Sequence, residues 1–245
     1  MNTPLLDNLK VRIFADGADV DGMVKMAKLP LIKGFTTNPT LMRKAGISDY
    51  RSFAREVLRQ INDRPISFEV FSDDFEEMED QALEIASWGP NVNVKIPVTN
   101  SDGESTAALI STLSSKGVHL NVTALMTLEQ VDVVLAALRG SAPAFISVFA
   151  GRIADTGRDP MPIMAEAARR VAVRPGTEII WASPRELLNI FQADDAGVQV
   201  ITVANDLLKK LEVVGKSLID YSLETVRMFR DDAVKAGYEI TGSRA

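Results

Sequence analysis

Three ionisable residues in apolar surroundings, Lys95, Glu69 and Asp16, could together perform amine chemistry on a carbonyl. Lys95 stands in NVNVKIPV, where alternation puts Val92, Val94 and Ile96 on one face and Asn93, Lys95 and Pro97 on the other. If the first set packs under helices, Lys95 points into a core. Desolvation disfavours an ammonium and makes the neutral amine, the form that attacks a ketone, more accessible. The ordinary alternative is a lysine whose head snorkels to a rim. Glu69, in ISFEVF, shares a face with Ser67 and Phe71. A carboxylate there needs a partner, met either by proton transfer beside the amine or by a structural ion pair. Asp16 closes VRIFAD, either as a general base or as the Asx turn leading out of a strand.

A second set suits an anion. In WASPREL, Ser183, Pro184 and Glu186 have the spacing of a capping box, with Ser183 as N-cap and Glu186 at N3. A helix N-terminus also binds phosphate, and Arg185 adds a cation in its first turn. Arg152, in FAGRIADTGRD, offers a second guanidinium or an ordinary loop pair with Asp155. His119, the only histidine, reads as structural, and the scattered methionines, Met23, Met126 and Met164 among them, read as packing. DDFEEMEDQALE has helical spacing and reads as a solvated acidic face rather than a metal site. Gly-rich phosphate loops of the Walker or dinucleotide type are absent.

These residues must be carried by regular elements. Runs rich in Val, Ile and Phe predict eight strands near 11–16, 34–37, 66–71, 92–98, 119–125, 144–149, 177–182 and 198–203. Between them lie helical patterns such as DYRSFAREVLRQI, EEMEDQALEIASW and LEQVDVVLAALRG. Strict alternation implies parallel strands with crossover helices, and eight units in this length match a (β/α)8 TIM barrel, with an open doubly wound sheet as the alternative. In such a barrel, catalytic groups sit at the carboxyl ends of strands. There the sequence places Asp16, the Thr36-Thr37-Asn38 run, Glu69, Lys95, Asn121, Thr123, Ser147 and Ser183. No linker interrupts the chain, so residues 1–245 read as a single domain, with 206–245 as a helical extension that caps the active face or docks on a neighbouring subunit.

Composition sets outer bounds. The chain has 245 residues, 46% hydrophobic and 6% aromatic, enough to bury a large core. Its net charge of −6 opposes broad binding to nucleic acid or an anionic membrane, so an anionic substrate needs a few placed cations. Without cysteine there is no disulfide, thiolate metal site or thiol nucleophile. The amino terminus lacks a secretory pattern and no run reaches 18 apolar residues, so a cytoplasmic protein is expected.

With these residues in place, most of the chain resembles the transaldolase family, including its fructose-6-phosphate aldolase branch. GFTTNPTL at 34–41, VKIPVT at 94–99, NVTAL at 121–125, SVFAGRI at 147–153 and WASPRE after the seventh strand carry the resemblance in order. It implies that Lys95 forms an imine with a ketose phosphate, that Asp16 takes the hydroxyl proton at the cleaved bond, and that Glu69 works through a water held by Thr123. Thr36, Asn38, Asn121, Ser147 and Phe149 would line the substrate, and Arg152, Ser183 and Arg185 would hold phosphate. The protonated imine is itself the electron sink, so no metal or organic cofactor is implied. Transaldolases resemble this chain in having Glu at 69 and Phe at 149, where the aldolase branch is similar in having Gln and Tyr. Phe149 supplies no proton for releasing the fragment, which favours transfer over simple cleavage. Phe35, Gly17, Thr40, Met126 and Thr127 depart from the pattern and leave the sugars open. The expected partners are small sugar phosphates and further copies of the chain. Simple aldol cleavage and a non-catalytic sugar-phosphate-binding barrel are the alternatives.

Overall fold

The computed structural model describes residues 4–240. The chain divides into two compact units, one of Leu9–Lys209 and one joining the segment through Asn8 to the segment from Lys210 onward. The last five residues of the expected 206–245 extension lie outside the described residues.

The larger unit carries β1 (Arg12–Asp16), β2 (Ile32–Thr36), β3 (Ile66–Glu69), β4 (Val92–Pro97), β5 (Leu120–Leu125), β6 (Ala144–Val148), β7 (Thr177–Trp181) and β8 (Val200–Ala204). Every pairing is parallel, and β8 returns to β1, so the sheet is a closed barrel in sequence order and the open-sheet alternative is excluded. Of the twelve α-helices among the described residues, α1 (Pro4–Asp7) belongs to the smaller unit. Those of the larger unit are α2 (Val20–Ala27), α3 (Pro39–Lys44), α4 (Tyr50–Gln60), α5 (Phe75–Ala86), α6 (Ala107–Ser115), α7 (Leu128–Ala137), α8 (Ala150–Asp155), α9 (Met161–Val171), α10 (Leu188–Asp195) and α11 (Asn205–Leu208). After a 3-10 turn at Lys209–Val213 comes α12 (Leu218–Lys235), capped by Ser217 and holding no buried residue. Among the described residues no helix is long and apolar enough to cross a membrane.

Alternation builds the barrel as the sequence predicts. Ile66, Phe68, Val94, Ile96, Val122, Ile146, Ile179 and Ile201 are buried, leaving the opposite face of each strand for the interior. Inside, Phe14, Phe145, Ile180 and Val200 form an apolar layer, with the Phe14 and Phe145 rings edge to face at 5.6 Å. Gly34 is required there, because a Cβ would lie 2.7 Å from the Phe14 ring.

Three departures from expectation have a hydrogen-bonding reason. β3 stops at Glu69 rather than 71, since the amides of Phe71 and Ser72 donate to the Gln81 side chain at 2.8 and 3.1 Å. β8 starts at Val200 rather than 198, since the Val198 amide still bonds the Ala193 carbonyl at 3.0 Å. The capping box at Ser183 does not form. Ser183 has φ +60, α10 begins only at Leu188, and the Asn189 side chain reaches back to accept the Arg185 and Glu186 amides at 2.7 and 3.1 Å.

Candidate functional site

The carboxyl ends of the strands open on a cavity of ≈ 480 Å³. Asp16, Thr36, Asn38, Glu69, Lys95, Thr123, Ser147, Phe149, Arg152 and Ser183 line it, with Ala124 and Thr202 among the remaining wall. Asn121 and Arg185 are not in that lining.

Register places the charged pair. β3 and β4 put Glu69 directly opposite Lys95, and the glutamate Oε2 lies 2.9 Å from Lys95 Nζ. Nζ also donates to the Thr37 carbonyl at 2.9 Å. The two side chains are only 7% and 17% exposed, so each charge relies on the other and on fixed dipoles rather than on water.

Asp16 faces the same cavity from β1. Register sets it opposite Thr36, whose hydroxyl donates to Asp16 Oδ1 at 2.7 Å. The Thr36 hydroxyl also contacts that of Thr202. Having given its only proton to Asp16, Thr36 must accept from Thr202. Burial raises the Asp16 pKa above its ordinary value, against the lowering effect of the Lys95 charge and the Thr36 bond, while the Glu69 charge adds to the rise. Asp16 is thus a carboxylate with heightened affinity for a proton, which suits a base.

Around these charges the hydroxyls and amides divide into engaged and open groups. Asn121 is fully buried, accepting from the Ser147 hydroxyl at 2.7 Å and donating to that of Ser67 at 3.0 Å. Its amide braces β3 and β6 from within the barrel. Asn38 caps α3 by accepting the Leu41 amide at 3.0 Å, ahead of Pro39 in the first turn. Thr123 Oγ1 is buried on the cavity wall and has no hydrogen-bond partner among the described residues.

Two wall residues, Ala124 and Ser183, adopt φ of +67 and +60, a region that side chains with a Cβ rarely enter. Such strain persists where surrounding structure fixes it. Beside Ser183 the packing is tight: a Cβ on Gly151 would lie 1.6 Å from its carbonyl oxygen, so the chain leaving β7 rests directly on the first turn of α8.

The guanidinium groups separate. Arg152 lines the cavity, exposed, with its Cζ 5.8 Å from the centre of the Phe149 ring. Asp155 does not take Arg152 as its partner; it pairs with Arg185, whose Nε donates to it at 2.9 Å. That pair is about half exposed and pulls the Asp155 carboxyl below its ordinary pKa.

Several participants went unnoticed in the sequence. Thr202 obeys the rule that found the others, an inward position in the carboxyl-terminal half of a strand. Ala124 carries no chemical group, and the Thr37 contact uses a carbonyl that every residue has. Tyr50 leads a helix, and its hydroxyl bonds both backbone groups of Glu69. His119 precedes β5 and lines a different cavity at the other mouth, with Arg12 and Glu178.

A family model described as Transaldolase/Fructose-6-phosphate aldolase matches residues 13–240. A protein named "Probable transaldolase" from Dehalococcoides mccartyi is 38% identical over 203 residues, covering 82% of this chain and 90% of the relative. Another of that name from Thermoanaerobacter sp. is 36% identical over 231 residues, 94% of this chain and 100% of the relative. Among solved structures, one described as a "putative phosphonomutase" from Burkholderia cenocepacia has a TM-score of 0.53 over 96% of each chain at 12% identity, a likeness of fold alone.

Proposed function

The chain belongs to the transaldolase/fructose-6-phosphate aldolase family, and from that premise we propose that it transfers a dihydroxyacetone unit from a ketose phosphate to an aldehyde through an imine on Lys95. The observation that carries this reading is the buried Lys95–Glu69 pair, 2.9 Å apart, at a cavity that Asp16 also enters.

The Lys95 amine adds to the ketone carbon, and loss of water gives the protonated imine. Glu69, with a water held by the open Thr123 hydroxyl, moves the protons of that dehydration. Asp16 then takes the proton from the hydroxyl on the second carbon beyond the imine. The carbon–carbon bond breaks, its electron pair flows into the imine, and an aldehyde leaves. An acceptor aldehyde enters, the steps reverse with Asp16 returning its proton, and water frees the new ketose from Lys95. Thr36, Asn38, Ser147 and Asn121 hold the hydroxyls, Asn121 through Ser147. Arg152 and Ser183 hold the phosphate, with Arg185 beside them in its pair with Asp155. Phe149 offers no proton to the retained fragment, so the carbanion equivalent waits for its acceptor.

On the same reading the enzyme needs no cofactor and interconverts sugar phosphates of the pentose phosphate type in the cytoplasm. It forms a homo-oligomer, which light scattering tests. The oligomer is supported by α12, where Leu218, Ile219 and Phe229 are 84%, 82% and 64% exposed.

Borohydride added with fructose 6-phosphate is expected to fix a three-carbon fragment on Lys95, read by peptide mass. No added mass with any of several ketose phosphates sinks the imine and leaves a binding barrel. Free dihydroxyacetone should accumulate slowly without erythrose 4-phosphate and transfer should be fast with it; rapid release without acceptor would make the protein an aldolase.

A further inference from the structure

Glu69 sits where the ladder between β2 and β3 fails, and a side chain from a helix fills the break. The Thr37 amide donates to the Ser67 carbonyl at 3.0 Å, as a parallel ladder requires. The next rung would send the Glu69 amide to the Thr37 carbonyl. That carbonyl instead accepts from Lys95 Nζ at 2.9 Å. The Glu69 amide donates to the Tyr50 hydroxyl at 2.7 Å, and this hydroxyl donates in turn to the Glu69 carbonyl at 2.9 Å. One phenol therefore satisfies both backbone groups of the residue whose side chain meets the lysine.

Resting on the imine reading above, we infer that Tyr50 is a positioning residue for the Lys95–Glu69 pair: its hydroxyl takes the Glu69 amide hydrogen and so leaves the Thr37 carbonyl to the lysine. Without that hydroxyl the amide and the ammonium compete for one carbonyl, and a buried amide left unpaired is costly. The phenol is well placed to hold this role. It opens α4, where Asp49 caps the helix, and its ring meets those of Phe68, Phe71 and Trp88 edge to face at 6.2, 5.7 and 5.6 Å. Burial raises its pKa far above the ordinary value, so the hydroxyl keeps its proton.

Tyr50→Phe keeps the ring and removes only the oxygen. The kcat for transfer and the rate of borohydride trapping should both fall about tenfold, with KM for the ketose phosphate within about twofold. An unchanged kcat and trapping rate would overturn the role, even if the melting temperature fell, because a purely structural tyrosine lowers stability without that split. A crystal structure of the variant reads the inference apart from catalysis: the Glu69 amide should move to the Thr37 carbonyl and displace Nζ, and an unmoved Nζ contact overturns it. Wild-type trapping run in parallel reports separately on the imine. Amide exchange of the wild-type protein needs no variant; a protected Glu69 amide is expected, and exchange at an exposed rate would count against the bond.

Discussion

The barrel has a cavity at each mouth, ≈ 480 Å³ where the strands end and ≈ 500 Å³ where they begin, and each holds opposite charges, yet the two are chemically unlike. At the carboxyl mouth the Lys95 and Glu69 side chains are 7% and 17% exposed; at the amino mouth those of Arg12 and Glu178 are 40% and 33% exposed. Only the first mouth combines a carboxyl with a raised pKa, a buried hydroxyl without a partner and two residues of positive φ. Volume and charge alone therefore do not mark a site in this molecule. Charge withdrawn from water, together with groups left open toward a cavity, does.

The largest break of that contrast is Lys95→Met. It should abolish borohydride trapping and lower turnover on the order of 10⁴-fold or more, whereas a variant that still trapped fragment would place the nucleophile elsewhere. Next comes Asp16→Asn, expected to lower kcat about 10²- to 10⁴-fold as a lost base. Its stability should move the other way. Folding raises the Asp16 pKa, so its favourable contribution is complete below the unfolded value and is lost as pH rises through the higher folded one. Near neutrality the wild type carries a buried carboxylate at a cost. The variant should therefore melt higher at about pH 7 and show no such gain near pH 3, below the ordinary aspartate value. A lower melting temperature at neutral pH would show that burial does not govern Asp16.

Thr36→Val probes the same carboxyl more gently. The Thr36 bond lowers the Asp16 pKa, so its removal should shift the acid limb of kcat/KM to higher pH, with a loss of activity of only a few-fold at the optimum. A limb that stayed in place or moved down would break the link between the two side chains.

The elements and the inward residues were legible because period-two alternation and the carboxyl-end rule need only sequence. Lys95 opposite Glu69 is such a case: two alternating strands, joined by the expected order, put the charges together. What escaped depends on contacts across distant parts of the chain. Ser183 reads as a helix cap by spacing, but it takes a positive φ and its carbonyl packs against Gly151 in the first turn of α8, a contact between separate elements. Arg152 and Arg185 both read as phosphate ligands, while only Arg152 lines the cavity and Arg185 is engaged with Asp155. Tyr50 has no periodic signal of function at all, since its hydroxyl acts on backbone groups 19 residues away.

The smallest effect should come from the amino mouth, and for that reason it sharpens the comparison most. Arg12→Ala removes one partner of an ion pair that is at least one-third exposed on each side. Water can solvate the remaining Glu178 carboxylate, so the loss should be about 0.2–1 kcal/mol in denaturant unfolding, reduced further at high salt. Turnover, KM and the pH profile should be unchanged, because the change lies below the apolar layer of Phe14, Phe145, Ile180 and Val200 that separates Arg12 from Lys95. A fall in kcat beyond about twofold with folding intact would mean that this layer transmits between the mouths, and that a solvated ion pair at the start of the strands helps to set the geometry of a desolvated one at their ends.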